Sequence, residues 1–238
     1  MRKTDFKVIG FDADDTLWVN EPFFQDTEKR LCELLAPYAP AEEVSKLLFA
    51  TEMQNLSLYG YGAKGFILSM IETALKISNN SVDQTILEKV VNLGKELINM
   101  PVTLLDRIPE VLDYLSLQGY TLIVATKGDL LDQQRKLSRS TLAKYFHHIE
   151  IMSDKKEQDY QLLLSRIGVN ANEFLMIGNS FKSDIQPVLA IGGYGIHVPY
   201  HTTWQHEVVG STNVSSDRFT LVHSIADVMQ ILRNGKNS

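Results

Sequence analysis

A chain of 238 residues with 44% hydrophobic and 22% charged residues has the composition of an ordinary globular protein, not of a disordered or fibrous one, and its length allows one domain or two. A formal net charge of −6 argues against a broad nucleic-acid surface, although a metal and one or two lysines can still build a local site for a phosphorylated small molecule. The single cysteine, Cys32, excludes an internal disulfide and falls in an apolar helical pattern that places it in a core.

The first element is Val8-Ile9-Gly10-Phe11, which suits a strand buried on both faces of a parallel sheet. It ends abruptly in Asp12, Asp14 and Asp15. Carboxylates this close repel one another unless a cation, hydrogen bonds or a proton offsets the charge. Open α/β sheets bind ligands beyond the carboxyl ends of their strands, where these acids would sit. The alternative is a solvated turn in which an Asp caps a following helix.

From Trp18 to about Met100 the pattern is helical. Glu21-Pro22 opens the first helix, with Phe23, Phe24, Leu31, Leu34 and Leu35 at helical spacing. Further helices are expected over Ala41 to Ser57, Gly65 to Ile77 and Val82 to Ile98, an up-and-down bundle inserted as a separate domain over residues 19–100. Between the second and third lies Tyr59-Gly60-Tyr61-Gly62-Ala63-Lys64-Gly65. It reads as a helix-helix turn, or as a turn whose Tyr61 and Lys64 face a substrate.

Residues 1–18 and 101–238 then read as one α/β unit. A helix opens at Pro109 and stops at Gly119, Tyr120 to Thr126 is a buried strand, and helices follow over Asp129 to Leu137 and Ser140 to Tyr145. His147 to Met152, Phe174 to Ile177 and Tyr194 to Val198 are further strands, with a helix between Lys155-Lys156 and Gly168. Tyr200 to Phe219 is polar and weakly patterned, a surface excursion, and Ile225 to Leu232 is a closing helix. The alternation predicts a Rossmann-like parallel sheet with helices on both faces and right-handed crossovers. Polar clusters at the strand ends would then meet along one edge.

Asp-x-Asp-Asp-Thr-Leu after a hydrophobic strand resembles the first motif of the haloacid dehalogenase superfamily, and three further motifs follow in order: Thr126, Lys155, then Asn179 with Asp184. The resemblance runs from the first strand to about Val198 and implies a magnesium-dependent phosphohydrolase whose helical insert is a cap over the active site. It implies Asp12 as the nucleophile that forms an aspartyl phosphate, Asp14 as the acid and base, and Mg2+ held by Asp12, the Asp14 carbonyl and the final motif. Asn179 stands where many members have Asp, so whether Asn179 or Asp184 is the direct ligand stays open. Thr126, the Lys127 N–H and Lys155 would contact the phosphoryl group, with Lys156 a rival to Lys155. Lys182 and His197 read as surface or structural.

The implied substrate is a small phosphorylated metabolite, and the oligomer a monomer or homodimer. A 2-haloacid dehalogenase would use the same aspartate but has no need of Asp14, whereas a phosphomutase would need both. A receiver-like module has its phosphoacceptor deeper in a shorter chain, and a catalytically silent phosphate-binding protein is a further alternative. Met1 to Lys7 is polar, no leader pattern follows, and no run approaches the ~20 apolar residues of a membrane span, so a cytoplasmic protein is expected.

Overall fold

The computed structural model describes residues 6–208 and 216–234. Residues 209–215 of the expected polar excursion, and residues 1–5 and 235–238, lie outside it. The chain forms two compact units: Met1–Glu21, Val102–Thr126 and Lys136–Ser238 in one, Pro22–Pro101 and Lys127–Arg135 in the other.

The first unit is built on a sheet of six described strands, β1 (Val8–Phe11), β2 (Thr121–Lys127), β3 (His148–Met152), β4 (Phe174–Gly178), β5 (Tyr194–His197) and β6 (Phe219–Leu221), in the order β3-β2-β1-β4-β5-β6. The β1–β2, β1–β4, β4–β5 and β5–β6 ladders are parallel. Phe11 pairs with Val124 on one side and Ile177 on the other, which brings the carboxyl ends of β2, β1 and β4 level. Both faces are covered. Ile9, Phe11, Leu122, Val124, Leu175 and Ile177 pack with α5 (Ile108–Leu117) and α9 (Asp227–Asn234). Val8, Ile123, Ala125, Phe174 and Met176 pack with α7 (Glu157–Ile167) and Val188 of α8 (Gln186–Ala190). Continuous apolar strands are the consequence of this two-sided burial.

The second unit holds α1 (Glu21–Leu35) from its second residue, α2 (Ala41–Tyr59), α3 (Ala63–Ile77) and α4 (Gln84–Asn99). Its core is one cluster: Leu31, Cys32 and Leu35 from α1, Val44 and Leu48 from α2, Phe66, Met70 and Ala74 from α3, and Val90, Leu93 and Leu97 from α4. Asp83 caps α4 by accepting from the Thr85 N–H at 2.8 Å. The start of α6 (Leu130–Ser140), up to Arg135, belongs to this unit and the remainder to the sheet unit.

Two regions depart from expectation. The sheet has a sixth strand, β6, at the end of the stretch read as a surface excursion; at three residues it is too short for its alternation to register. The chain between β4 and β5 makes a π-helical turn at Phe181–Ile185 leading into α8, where the sequence indicated a polar cluster at the strand end and no helix. Among the described residues no helix is long and apolar enough to cross a membrane.

Candidate active site at the carboxyl edge of the sheet

The three acids after β1 diverge, and each has different partners. Asp12 follows the strand directly, its N–H donating to Ile177 O at 2.9 Å, and it is buried. Its Oδ1 receives Lys155 Nζ at 2.5 Å, and its Oδ2 receives the Thr16 hydroxyl at 3.1 Å. Asp14 Oδ1 accepts from Trp18 Nε1 at 2.7 Å and from Lys136 Nζ at 3.0 Å. Asp15 sits at φ 59° with its carboxylate on the backbone N–H groups of Asn20 (2.8 Å) and Glu21 (2.9 Å), at the entry to α1. Mutual repulsion of the acids is thus relieved by separate donors, and Asp15 has the capping role considered for it above.

Lys155 is the centre of the electrostatics. Its side chain is 1% exposed and its ammonium bridges Asp12 and Asp184 Oδ1, the latter at 2.6 Å. Burial alone would lower its pKa, but the Asp12 and Asp184 carboxylates outweigh that and hold it well above the usual lysine range. Burial pushes the Asp12 carboxyl up to about 7, with Lys155 pulling down and Asp184 pushing up. Lys156, by contrast, is 78% exposed and pairs with Asp154 at 2.9 Å.

The loop after β4 supplies the remaining groups. Asn179 Oδ1 lies 3.3 Å from the Thr16 hydroxyl, which in turn accepts from the Asn179 N–H at 3.0 Å. Its carbonyl accepts from His197 Nε2 at 2.9 Å; His197 is buried, against the surface alternative, and burial holds its pKa below the ordinary histidine value. Asp184, in the π-helical turn, has Oδ2 on the Ser180 N–H at 2.9 Å. Glu207 fastens the turn by accepting from the hydroxyls of Ser180 (2.5 Å) and Ser183 (2.7 Å). The Tyr160 hydroxyl donates to Ser183 O at 3.1 Å, and burial keeps its pKa well above the phenol range. Lys182 is exposed and donates to His206 O.

Asp12, Asp14, Lys155, Asn179 and Asp184 therefore surround one strand tip, and Thr126, buried, is the penultimate residue of the neighbouring β2, two residues past the partner of Phe11. Tyr61, Lys64 and Lys127 lie together in the helical unit: Lys127 Nζ stands 4.1 Å over the Tyr61 ring, and Lys64 pairs with Asp129 Oδ2 at 3.0 Å. Gly62 permits this packing. At φ 110°, it has Asp129 N only 2.7 Å from where a Cβ would project. Sequence reasoning passed over Thr16, Trp18, Lys136, Ser180 and Glu207. Thr16 alone had a local signal, standing within the Asp-Asp-Thr-Leu run.

Among the described residues there is no group of three or more His, Cys, Asp or Glu side chains arranged to hold a metal. An oxygen set exists nonetheless: Asp12 Oδ2 and Asn179 Oδ1 both lie within hydrogen-bond distance of the Thr16 hydroxyl, and with backbone carbonyls and water such hard donors fit Mg2+.

Fold and site define a class, that of Rossmann-like hydrolases with a helical insert after the first strand. The chain belongs to the haloacid dehalogenase-like hydrolases, whose family model matches residues 6–192. It is similar to the crystal structure of a haloacid dehalogenase-like family hydrolase from Xanthomonas campestris, with 33% identity over 98% of this chain and 92% of that one and a TM-score of 0.87. A predicted phosphoglycolate phosphatase from Haemophilus somnus shares the fold at 19% identity, covering 95% and 97%, with a TM-score of 0.63. So does an L-2-haloacid dehalogenase from Xanthobacter autotrophicus with chloropropionic acid covalently bound, at 14% identity, 96% and 98%, and 0.66. Among curated proteins none matches.

Proposed function

We propose that this hydrolase is a magnesium-dependent phosphatase of a small phosphorylated metabolite, acting through an aspartyl phosphate on Asp12. The observation that carries the reading is the pairing of two differently held aspartates. Asp12 is buried against the Lys155 ammonium, as suits a nucleophile, and Asp14, two residues on, is only partly buried and held by N–H donors, as suits an acid and base. A dehalogenation by the same nucleophile leaves the second aspartate without a task.

Asp12 attacks phosphorus while Asp14 protonates the departing ester oxygen. Asp14 then takes a proton from the water that displaces Asp12 from the phosphoryl group, so that one difficult displacement becomes two easier ones. Lys155, the Thr126 hydroxyl and the Lys127 N–H are assigned to the phosphoryl oxygens, whose charge they offset. Mg2+, when held by Asp12, Asn179 and the Asp14 carbonyl, supplies further positive charge against the phosphoryl anion. Asp184 is assigned here to holding Lys155 and closing the turn, through its Oδ1 and Oδ2 respectively. Residues 19–100 are assigned as the cap, with Tyr61 and Lys64 setting specificity, in a cytoplasmic monomer or homodimer.

The test is turnover of a panel of phosphorylated metabolites, and of 2-haloacids in parallel, by purified protein with and without Mg2+. Phosphate release that needs Mg2+ and disappears in Asp12→Asn is expected. Halide release, or phosphate release indifferent to either change, overturns the reading.

A further inference from the structure

Asp14 is gripped in a way its position on the strand-end loop does not require. Two donors converge on one of its oxygens: Trp18 Nε1 at 2.7 Å and Lys136 Nζ at 3.0 Å, both to Oδ1. The indole is fixed, because Trp18 is 1% exposed and its backbone bridges to Asp14 and to Leu104. Lys136 is fixed at its other side by Asn20 Oδ1 at 2.7 Å. Asn20 is held in turn, its N–H on Asp15. Lys136 comes from α6, more than a hundred residues along the chain from Asp14, so its arrival is a property of the fold and not of the local turn. Both side chains are partly buried, and the pair fixes the orientation of the Asp14 carboxylate.

We propose that Lys136 is a positioning residue for Asp14: together with Trp18 it pins Oδ1 and so sets the direction in which the carboxyl group meets the leaving group. The inference rests on the phosphatase reading above and deepens it. In the first step the ester P–O bond breaks as the bond from Asp12 oxygen to phosphorus forms, and the proton on the Asp14 carboxyl group passes to the departing oxygen. In the second step a water proton returns to Asp14, the water oxygen bonds to phosphorus, and the bond to Asp12 breaks to release inorganic phosphate. Lys136 transfers no proton in either step.

The experiment compares kcat and KM for p-nitrophenyl phosphate and for a simple alkyl phosphate in wild type, Lys136→Met, Lys136→Gln and Lys136→Arg. A nitrophenolate departs without a proton, whereas an alkoxide needs one. Misplacing the acid is expected to lower kcat on the alkyl ester by about 10- to 100-fold in both the Met and Gln variants, with a much smaller loss on the aryl ester, little change in KM, and recovery in Lys136→Arg. Equal losses on the two esters, or a change confined to KM, overturn the proposal while leaving the phosphatase reading intact. Turnover that survives Asp12→Asn, or a wild type that cleaves no phosphate ester, overturns the phosphatase reading and the role of Lys136 with it. Far-ultraviolet circular dichroism of each variant separates these results from misfolding, and having two neutral replacements keeps the comparison decisive if one of them fails to fold.

Discussion

Asp184 occupies the space that a side chain on Gly178 would fill: a Cβ there would lie 2.2 Å from Asp184 Oδ2. Gly178 closes β4, and its lack of a Cβ lets the π-helical turn fold back so that Asp184 reaches Lys155 at 2.6 Å. Gly178→Ala is therefore expected to push Asp184 off the ammonium. Displacement on the ångström scale at such a centre costs on the order of 100-fold in rate, and overpacking about 1–3 kcal/mol in stability. Initial rates and urea unfolding check this; an alanine variant with wild-type turnover would show that the place of Asp184 is immaterial.

Removing the cation that Asp12 and Asp184 share leaves two buried carboxylates facing each other. Lys155→Met is expected to lose turnover and to lower unfolding stability by about 3–5 kcal/mol, the usual cost of breaking a buried pair from one side. Asp12→Asn, which removes one of the two acids instead, is expected to lose turnover with little loss of stability. Lys156→Met should leave the melting curve unchanged, since that ammonium is in water with Asp154. Denaturant titration of the three variants checks the order; equal destabilisation by Lys155→Met and Lys156→Met would contradict it.

The parts of this site that could be read in the sequence are those carried by uninterrupted local pattern. Val8 to Phe11 has no polar residue to offer solvent, so a doubly buried strand and an acid-bearing tip follow from the residues themselves, and strand β4 with Asn179 after it follows likewise. Lys155 had Lys156 as a rival in the sequence, and only the structure separates them, burying Lys155 between Asp12 and Asp184 and leaving Lys156 exposed. The rest is made by contacts between distant segments: Thr16 with Asn179, Lys136 with Asp14, Glu207 with Ser180 and Ser183. No periodicity or spacing in one sequence records such a pair. Glu207 was least legible, lying in a polar stretch whose short turn has no apolar face. The π-helical turn was hidden for a related reason, since it is closed by the contact of Asp184 with the Ser180 N–H, which no apolar periodicity marks.

Among the described glycines of the helical unit, Gly94 has the nearest neighbour. A Cβ on this residue of α4 would stand 2.4 Å from Ile67 Cγ1 of α3, so the two helices touch where one has no side chain. Alanine normally favours a helix over glycine by about 1 kcal/mol. Here the clash with a stiff β-branched neighbour outweighs that gain, and Gly94→Ala is expected to destabilise by about 1–3 kcal/mol. Pairing it with Ile67→Ala should recover part of the loss, a coupling that chemical denaturation of the double-mutant cycle measures. Additive effects would mean that α3 and α4 do not meet at these two residues.

Thr16 offers the sharpest test of where the ion is held. Its hydroxyl is 3.1 Å from Asp12 Oδ2 and 3.3 Å from Asn179 Oδ1, and it accepts from the Asn179 N–H at 3.0 Å, so one small group sets the separation of the two side-chain oxygens assigned to Mg2+. Groups that orient metal ligands typically account for 10- to 100-fold in affinity. Thr16→Val keeps the shape and removes the hydroxyl; it is expected to weaken Mg2+ binding by about 10-fold, seen by calorimetric titration and as a smaller rise of Tm with added Mg2+. Thr16→Ser, which keeps the hydroxyl, should bind as wild type does. A Thr16→Val protein with unaltered Mg2+ affinity would remove Asn179 from the ligand set and return the choice to Asp184, whose oxygens Thr16 does not touch.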